Sequence, residues 1–159
     1  MWEAIIILAV FIVAVSVTLV RVNKTPNTMS FREAMDLAEL PIVTFRIGEK
    51  KANFILDTGA NASVINKCIL DKIDHEVLDK THTVMGIEGI ASENPCVSIN
   101  LKYRDQDFQE EFQAIDMSGV FSAMKQESGV VVHGLIGNAF FTKYKYVLDF
   151  KDLIAYSKK

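Results

Sequence analysis

The chain has 159 residues, of which 17 are basic and 20 acidic, for a formal charge of −3. That length suits one domain with some chain to spare, and the near-balanced charge leaves no basic footprint for a nucleic acid. Hydrophobic residues make up 50% and mean hydropathy is +0.20, so some apolar mass is expected outside an ordinary core.

The apolar excess lies at the N-terminus. Residues 4–20 read AIIILAVFIVAVSVTLV without a charge, a length near the lower limit for a helix crossing a bilayer. Trp2 extends the segment at the interface, where an amphipathic ring is favoured. A cleaved signal peptide would want a basic start, a shorter apolar stretch and a small-x-small cleavage site. Here Glu3 precedes the run, and the first basic residues, Arg21 and Lys24, follow it. Residues 1–21 are therefore expected to be a single transmembrane anchor. Basic residues beside such a helix tend to stay cytoplasmic, which places the rest of the chain in the cytoplasm.

Residues 22–40 read as a juxtamembrane linker, containing Pro26, and a short helix. Ser30-Phe31-Arg32-Glu33 has the form of a capping box. Phe31, Ala34, Met35 and Ala38 then share one helical face, and Pro41 stops the helix. Packing against the domain is the simplest role for it.

From residue 41 to 159 the period changes to that of strands. Ile42–Ile47 and Ala52–Leu56 flank a turn at Gly48-Glu49-Lys50-Lys51 and predict a hairpin. Further β-like stretches are His82–Met85, Ser98–Tyr103, Phe108–Ile115, Val130–Ile136 and Tyr146–Phe150, with short helices over 66–73 and 138–144. Short strands at this spacing predict a mostly-β barrel or sandwich. The two cysteines, Cys68 and Cys96, lack any CxxC pairing, and His75, His82 and His133 are scattered. The pattern favours free, partly buried thiols and gives no support to a metal site or other cofactor.

The chemically informative segment is Phe54-Ile55-Leu56-Asp57-Thr58-Gly59-Ala60-Asn61-Ala62-Ser63-Val64-Ile65. An acid ends an apolar strand, a small turn follows, and apolar residues return. A carboxylate at such a place is costly unless it is hydrogen-bonded or partly neutral. Gly59 permits a turn that a residue with a Cβ would resist, and lets its amide approach the acid. By itself, Asp-Thr-Gly is also an ordinary turn.

Leu56-Asp57-Thr58-Gly59-Ala60, continuing to Ser63-Val64-Ile65, resembles the active-site loop of retropepsin-like (retroviral-type, clan AA) aspartic peptidases, in a membrane-anchored member of bacterial type. Gly134-Leu135-Ile136-Gly137-Asn138-Ala139-Phe140-Phe141 resembles the family's hydrophobic-hydrophobic-glycine motif and the helix after it. Leu135, Ile136 and Gly137 would then pack behind the catalytic loop. Tyr144 to Phe150 resemble the next strand, on which Asp149 reads as structural. Thr83 to Ala91 sit where the family places its flap, which implies Met85, Gly86, Ile87 and Gly89 as flap residues; an ordinary glycine turn between strands fits the same residues. The matches run in family order over roughly residues 41–157. The resemblance implies a closed β-barrel with one or two short helices. Residues 104–131 read as an enlarged connection, an addition to the family pattern.

Hydrolysis by this chemistry needs two carboxyls, one ionised and one protonated, sharing a proton at about 3 Å. The chain holds one Asp-Thr-Gly and no Asp-Ser-Gly. A homodimer that brings Asp57 of each subunit to a two-fold axis supplies the second. The resemblance implies that Thr58 bonds across that axis. Ala60, unlike a serine, cannot donate a hydrogen bond to the carboxylate, so activity is expected nearer neutral pH than in a digestive acid peptidase. Three functions fit these residues: an endopeptidase acting on protein or peptide substrates near the membrane, a non-catalytic peptide-binding module on the same fold, and a membrane-tethered scaffold.

Overall fold

Ser30 opens the first described helix, α1 (Phe31–Ala38). Its hydroxyl accepts from the Glu33 amide at 3.3 Å, and the Glu33 carboxylate accepts from the Ser30 amide at 3.0 Å. Both bonds satisfy donors that a helix start otherwise leaves orphaned. Glu39, in the left-handed region at φ 53, ends the helix one residue before Leu40 and Pro41. The computed structural model describes residues 29–85 and 91–157. No helix among them is long and apolar enough to cross a membrane. The predicted anchor at 1–21 lies outside the described residues.

Nine strands follow among the described residues. Strands β1 (Ile42–Ile47) and β2 (Lys50–Leu56) pair antiparallel from Ile42↔Ile55 to Ile47↔Lys50. The turn is therefore Gly48-Glu49, two residues shorter than the sequence implies. Gly48 adopts φ 57, the positive dihedral that lets a two-residue loop match strand twist. Next come β3 (Ser63–Asn66), a 3-10 helix (Lys67–Lys72), β4 (Glu76–Met85), β5 (Ala91–Tyr103) and β6 (Gln106–Ile115). Helix α2 (Ser118–Ser128), β7 (Gly134–Ile136), α3 (Asn138–Tyr144), β8 (Tyr146–Asp149) and β9 (Ile154–Ser157) complete the described residues.

Six strands close a barrel in the order β1-β2-β7-β3-β6-β5, and Arg46↔Lys102 pairs β1 to β5 to seal it. Strand β4 adds to the outer edge of β5. Among the described residues, α1, the 3-10 helix and α3 lie where the sequence places helices, and α2 is an addition to them and to the one or two short helices that the resemblance implies for the barrel. The supposed long connection at 104–131 is also different: it holds the β5–β6 turn, all of β6 and helix α2.

The barrel fills with aromatic rings. Phe45 lies 5.6–6.2 Å, centroid to centroid, from Phe54, Tyr103, Phe108 and Phe140. Such edge-on and tilted pairs add to the free energy of burial. A second cluster joins Met29, Ala34, Ile42, Phe121, Val130 and Val132, and seats α1 and α2 beside β1. Strands β8 and β9 form a separate hairpin. Asp149 caps its turn by accepting from the Lys151 and Asp152 amides at 2.9 and 3.0 Å, a structural role. Arg32 on α1 reaches the Asp152 carbonyl at 2.8 Å. Cys68 is exposed and Cys96 buried, and both are free.

Candidate active site

Strand β7 has an unusual position. It runs parallel to β2 through Phe54↔Gly134, Ile55↔Leu135 and Leu56↔Ile136, and antiparallel to β3 through Val64↔Leu135 and Ile65↔Gly134. A strand from late in the chain is thus threaded between two early ones. The residues joining β2 to β3, 57–62, must arch over the end of β7.

Asp57 begins that arch, partly exposed, directly after buried Leu56. Its N–H donates to the Ile136 carbonyl at 2.9 Å. Its Oδ1 accepts from the Gly59 amide at 2.9 Å, which fixes the carboxylate and leaves lone pairs for a substrate or a second acid. Gly59 does not use a positive φ here. What its missing side chain supplies is space, since a Cβ would stand 3.3 Å from Asp57 Oδ1. Thr58 and Gly59 are exposed at the tip and Ala60 is half-buried.

The far side of the arch is clamped by backbone. Asn138 N–H donates to the Ala60 carbonyl at 2.7 Å, and Ala139 N–H to the Asn61 carbonyl at 3.3 Å. Gly137 comes so close to Ala62 that a Cβ would lie 2.5 Å from its carbonyl carbon and oxygen. Only glycine fits such an approach. Ile136 and Gly137 thus contact the Asp57 loop, and Leu135 lies between Ile55 and Val64 of the flanking strands.

The retroviral aspartyl protease family model matches residues 38–149. The chain belongs to this family. Among solved structures 33 chains match. One of them is EIAV protease complexed with the inhibitor HBY-793, at 15% identity and a TM-score of 0.50, over 72% of this chain and 97% of that one. That likeness supports the fold. No curated protein matches the chain. Family and fold together point to a peptidase.

In this member of the retroviral aspartyl protease family, β4 and β5 pair as far as Met85↔Ala91. Met85 thus ends one arm of a hairpin at the place predicted for the flap. Gly86, Ile87 and Gly89 lie outside the described residues.

Two polar groups behind the loop have no counterpart among the site residues read from sequence. Ser63, buried, accepts from the Gly137 amide at 3.0 Å and donates to Glu110 Oε1 at 2.8 Å. Glu110 is 4% exposed. Burial pushes its carboxyl above the usual carboxylate range, against the Ser63 hydrogen bond and the nearby Lys143 charge. A signal for it exists in β6, where Phe108, Glu110, Phe112 and Ala114 share the inward phase of the alternation. The second group is His133, just before β7. Its Nδ1 accepts from the Asn53 amide at 3.0 Å, and Asn53 Nδ2 donates to the Val131 carbonyl at 2.8 Å. Burial lowers the His133 pKa. These bonds fasten the approach to β7 onto β2.

Proposed function

We propose that the protein is an aspartic endopeptidase that cuts peptide bonds in protein substrates with a water activated by two Asp57 carboxyls, one from each subunit of a homodimer. The observation that carries this reading is the Asp57 loop itself. A partly exposed carboxylate stands on a rigid arch, held by the Gly59 amide and clamped from behind by residues 136–139. Rigid preorganisation is what a catalytic acid requires, because it removes reorganisation from the barrier.

Each chain has a single Asp-Thr-Gly. Two such loops facing across a two-fold axis would put like charges about 3 Å apart, where one proton must be shared. The ionised member takes a proton from water and the protonated member hydrogen-bonds the scissile carbonyl. Ala60 leaves the pair without a side-chain donor at that position, which supports activity closer to neutral pH; an optimum below about pH 4 would contradict that part. Thr58, exposed beside Asp57, would bond across the axis, a role the family resemblance supports.

The uncharged run at residues 4–20, followed by Arg21 and Lys24, supports a membrane tether with the peptidase domain on the cytoplasmic side. Confinement to a membrane would raise the effective concentration of subunits and favour the dimer.

The test uses full-length protein in lipid nanodiscs, a peptide library and the Asp57→Asn variant, with oligomeric state measured by sedimentation. Wild type should cleave as a dimer, and Asp57→Asn should remain dimeric without cleaving. A folded wild-type dimer that cuts nothing at any pH would sink the enzyme reading, while a variant that still cuts would acquit Asp57.

A further inference from the structure

We propose that Glu110 is a positioning residue for the catalytic loop, acting through Ser63 and Gly137. This rests on the peptidase reading for its meaning, though one arm of its test does not.

The inference starts from a cost. Glu110 falls between Phe108 and Phe112 on the inward face of β6, and all three are buried. An apolar side chain would pack there without the penalty of desolvating a carboxyl. The acid therefore weakens the barrel unless its hydrogen bond accomplishes something. Its partner is also buried: Ser63, on β3, is 1% exposed.

A serine hydroxyl has one proton and two lone pairs. Here the proton goes to Glu110 Oε1 at 2.8 Å, and a lone pair receives the Gly137 amide at 3.0 Å. With its proton committed, the hydroxyl cannot rotate, and its lone pair stays aimed at Gly137. Gly137 stands at the centre of the clamp. The residue before it, Ile136, accepts from the Asp57 amide, and the next two donate to Ala60 and Asn61. A shift of Gly137 thus moves both ends of the arch that carries Asp57.

Helix α3 is held to the same place from the outside. Lys143 Nζ and the Tyr144 hydroxyl both donate to the carbonyl of Gln109, next to Glu110, at 2.6 Å. A cleft of about 270 Å³, bordered by Ala62, Ser63, Glu110, Ala139 and Lys143, lies where the loop, β6 and α3 meet. The acid therefore sits at the junction of the three elements whose relative placement sets the loop.

What Glu110 provides is an acceptor, so the charge is dispensable. Glu110→Leu and Ser63→Ala should each lower kcat roughly tenfold or more with KM unchanged, as expected when reacting groups are misplaced but substrate contacts are intact. Glu110→Gln, which keeps an acceptor oxygen, should restore the turnover that Glu110→Leu loses. The double variant Glu110→Leu/Ser63→Ala should be no worse than either single one, because both act through one chain of bonds. Amide hydrogen exchange over residues 57–62 and at Gly137 should quicken in Glu110→Leu and return in Glu110→Gln, and this can be read whether or not peptide is cut. If Glu110→Leu melts earlier but keeps wild-type kcat and loop exchange, the acid is merely structural and the proposal is overturned. Should Glu110→Leu fail to fold, Ser63→Ala decides it by the same two readouts. If wild type proves inactive yet loop exchange follows the predicted order, the peptidase reading falls and the positioning claim stands.

Discussion

Asp57 and Ile136 are far apart in sequence, yet the amide of one donates to the carbonyl of the other at 2.9 Å. That bond joins the acid at the end of β2 to the strand threaded beside it, so the acid's position depends on how closely β7 can approach. Gly137 sets the limit. Gly137→Ala would put a methyl group 2.5 Å from the Ala62 carbonyl carbon and oxygen and 3.0 Å from the Ala60 oxygen. These are backbone atoms that cannot swing away. The substitution should cost about 1–3 kcal/mol of stability, as overpacking does, and peptide cleavage should fall further than the lost folded fraction explains. Urea unfolding and cleavage assays on the same samples check this; a variant with wild-type stability would mean the contact is looser than drawn.

Glu110→Gln makes a second prediction, on stability. Burial raises the folded carboxyl above its ordinary value, while the unfolded chain titrates near about 4.3. The native state thus binds the proton more tightly, so this group's contribution is most favourable at low pH and declines as pH rises through the two values. The charged groups facing it are Lys143, which favours ionisation, and Glu111, which opposes it. At neutral pH Glu110→Gln should therefore melt at a higher temperature than wild type, and the gap should close below about pH 4. Equal melting at neutral pH would show that Ser63 and Lys143 already compensate the burial.

Much of the fold is legible in local signals, and what is not legible has physical reasons. The capping box at Ser30 and Glu33, strand Ile42–Ile47 and helix Asn138–Tyr144 are all where the sequence places them. The Asp57 loop meets Ile136 and Gly137 through backbone contacts. Helix α2 is hidden because only Phe121 on it is buried and Met117 supplies no side-chain cap. The first half of β4, Glu76-Val77-Leu78-Asp79-Lys80, lies at a sheet edge with only Leu78 half-buried, so no buried alternation marks it, and its three charges guard the edge against aggregation. Strands β3 and β9 have four residues each, too few to show a period. The Ser63–Glu110 pair spans β3 and β6, and no reading of either strand alone reveals a partner on the other.

His133 supplies a prediction of opposite sign. Burial lowers its pKa, and Nδ1 can accept from the Asn53 amide only while unprotonated. The unfolded chain takes up this proton near about pH 6.5. Stability from this group is therefore full above that pH and is lost as pH falls toward the lower folded value. Urea midpoints should drop on the acid side of about pH 6.5, and His133→Gln should flatten that drop. Parallel curves for the two proteins would show that His133 is not the group responsible.

The measurement that tests the two-subunit site most directly is a mixing experiment. Wild-type and Asp57→Asn chains are unfolded together, refolded in varied ratios at constant total protein, and assayed for peptide cleavage. If each working site needs one Asp57 from each subunit, activity falls with the square of the wild-type fraction. Activity falling in simple proportion to that fraction would mean that one chain carries a complete site, and would contradict the account.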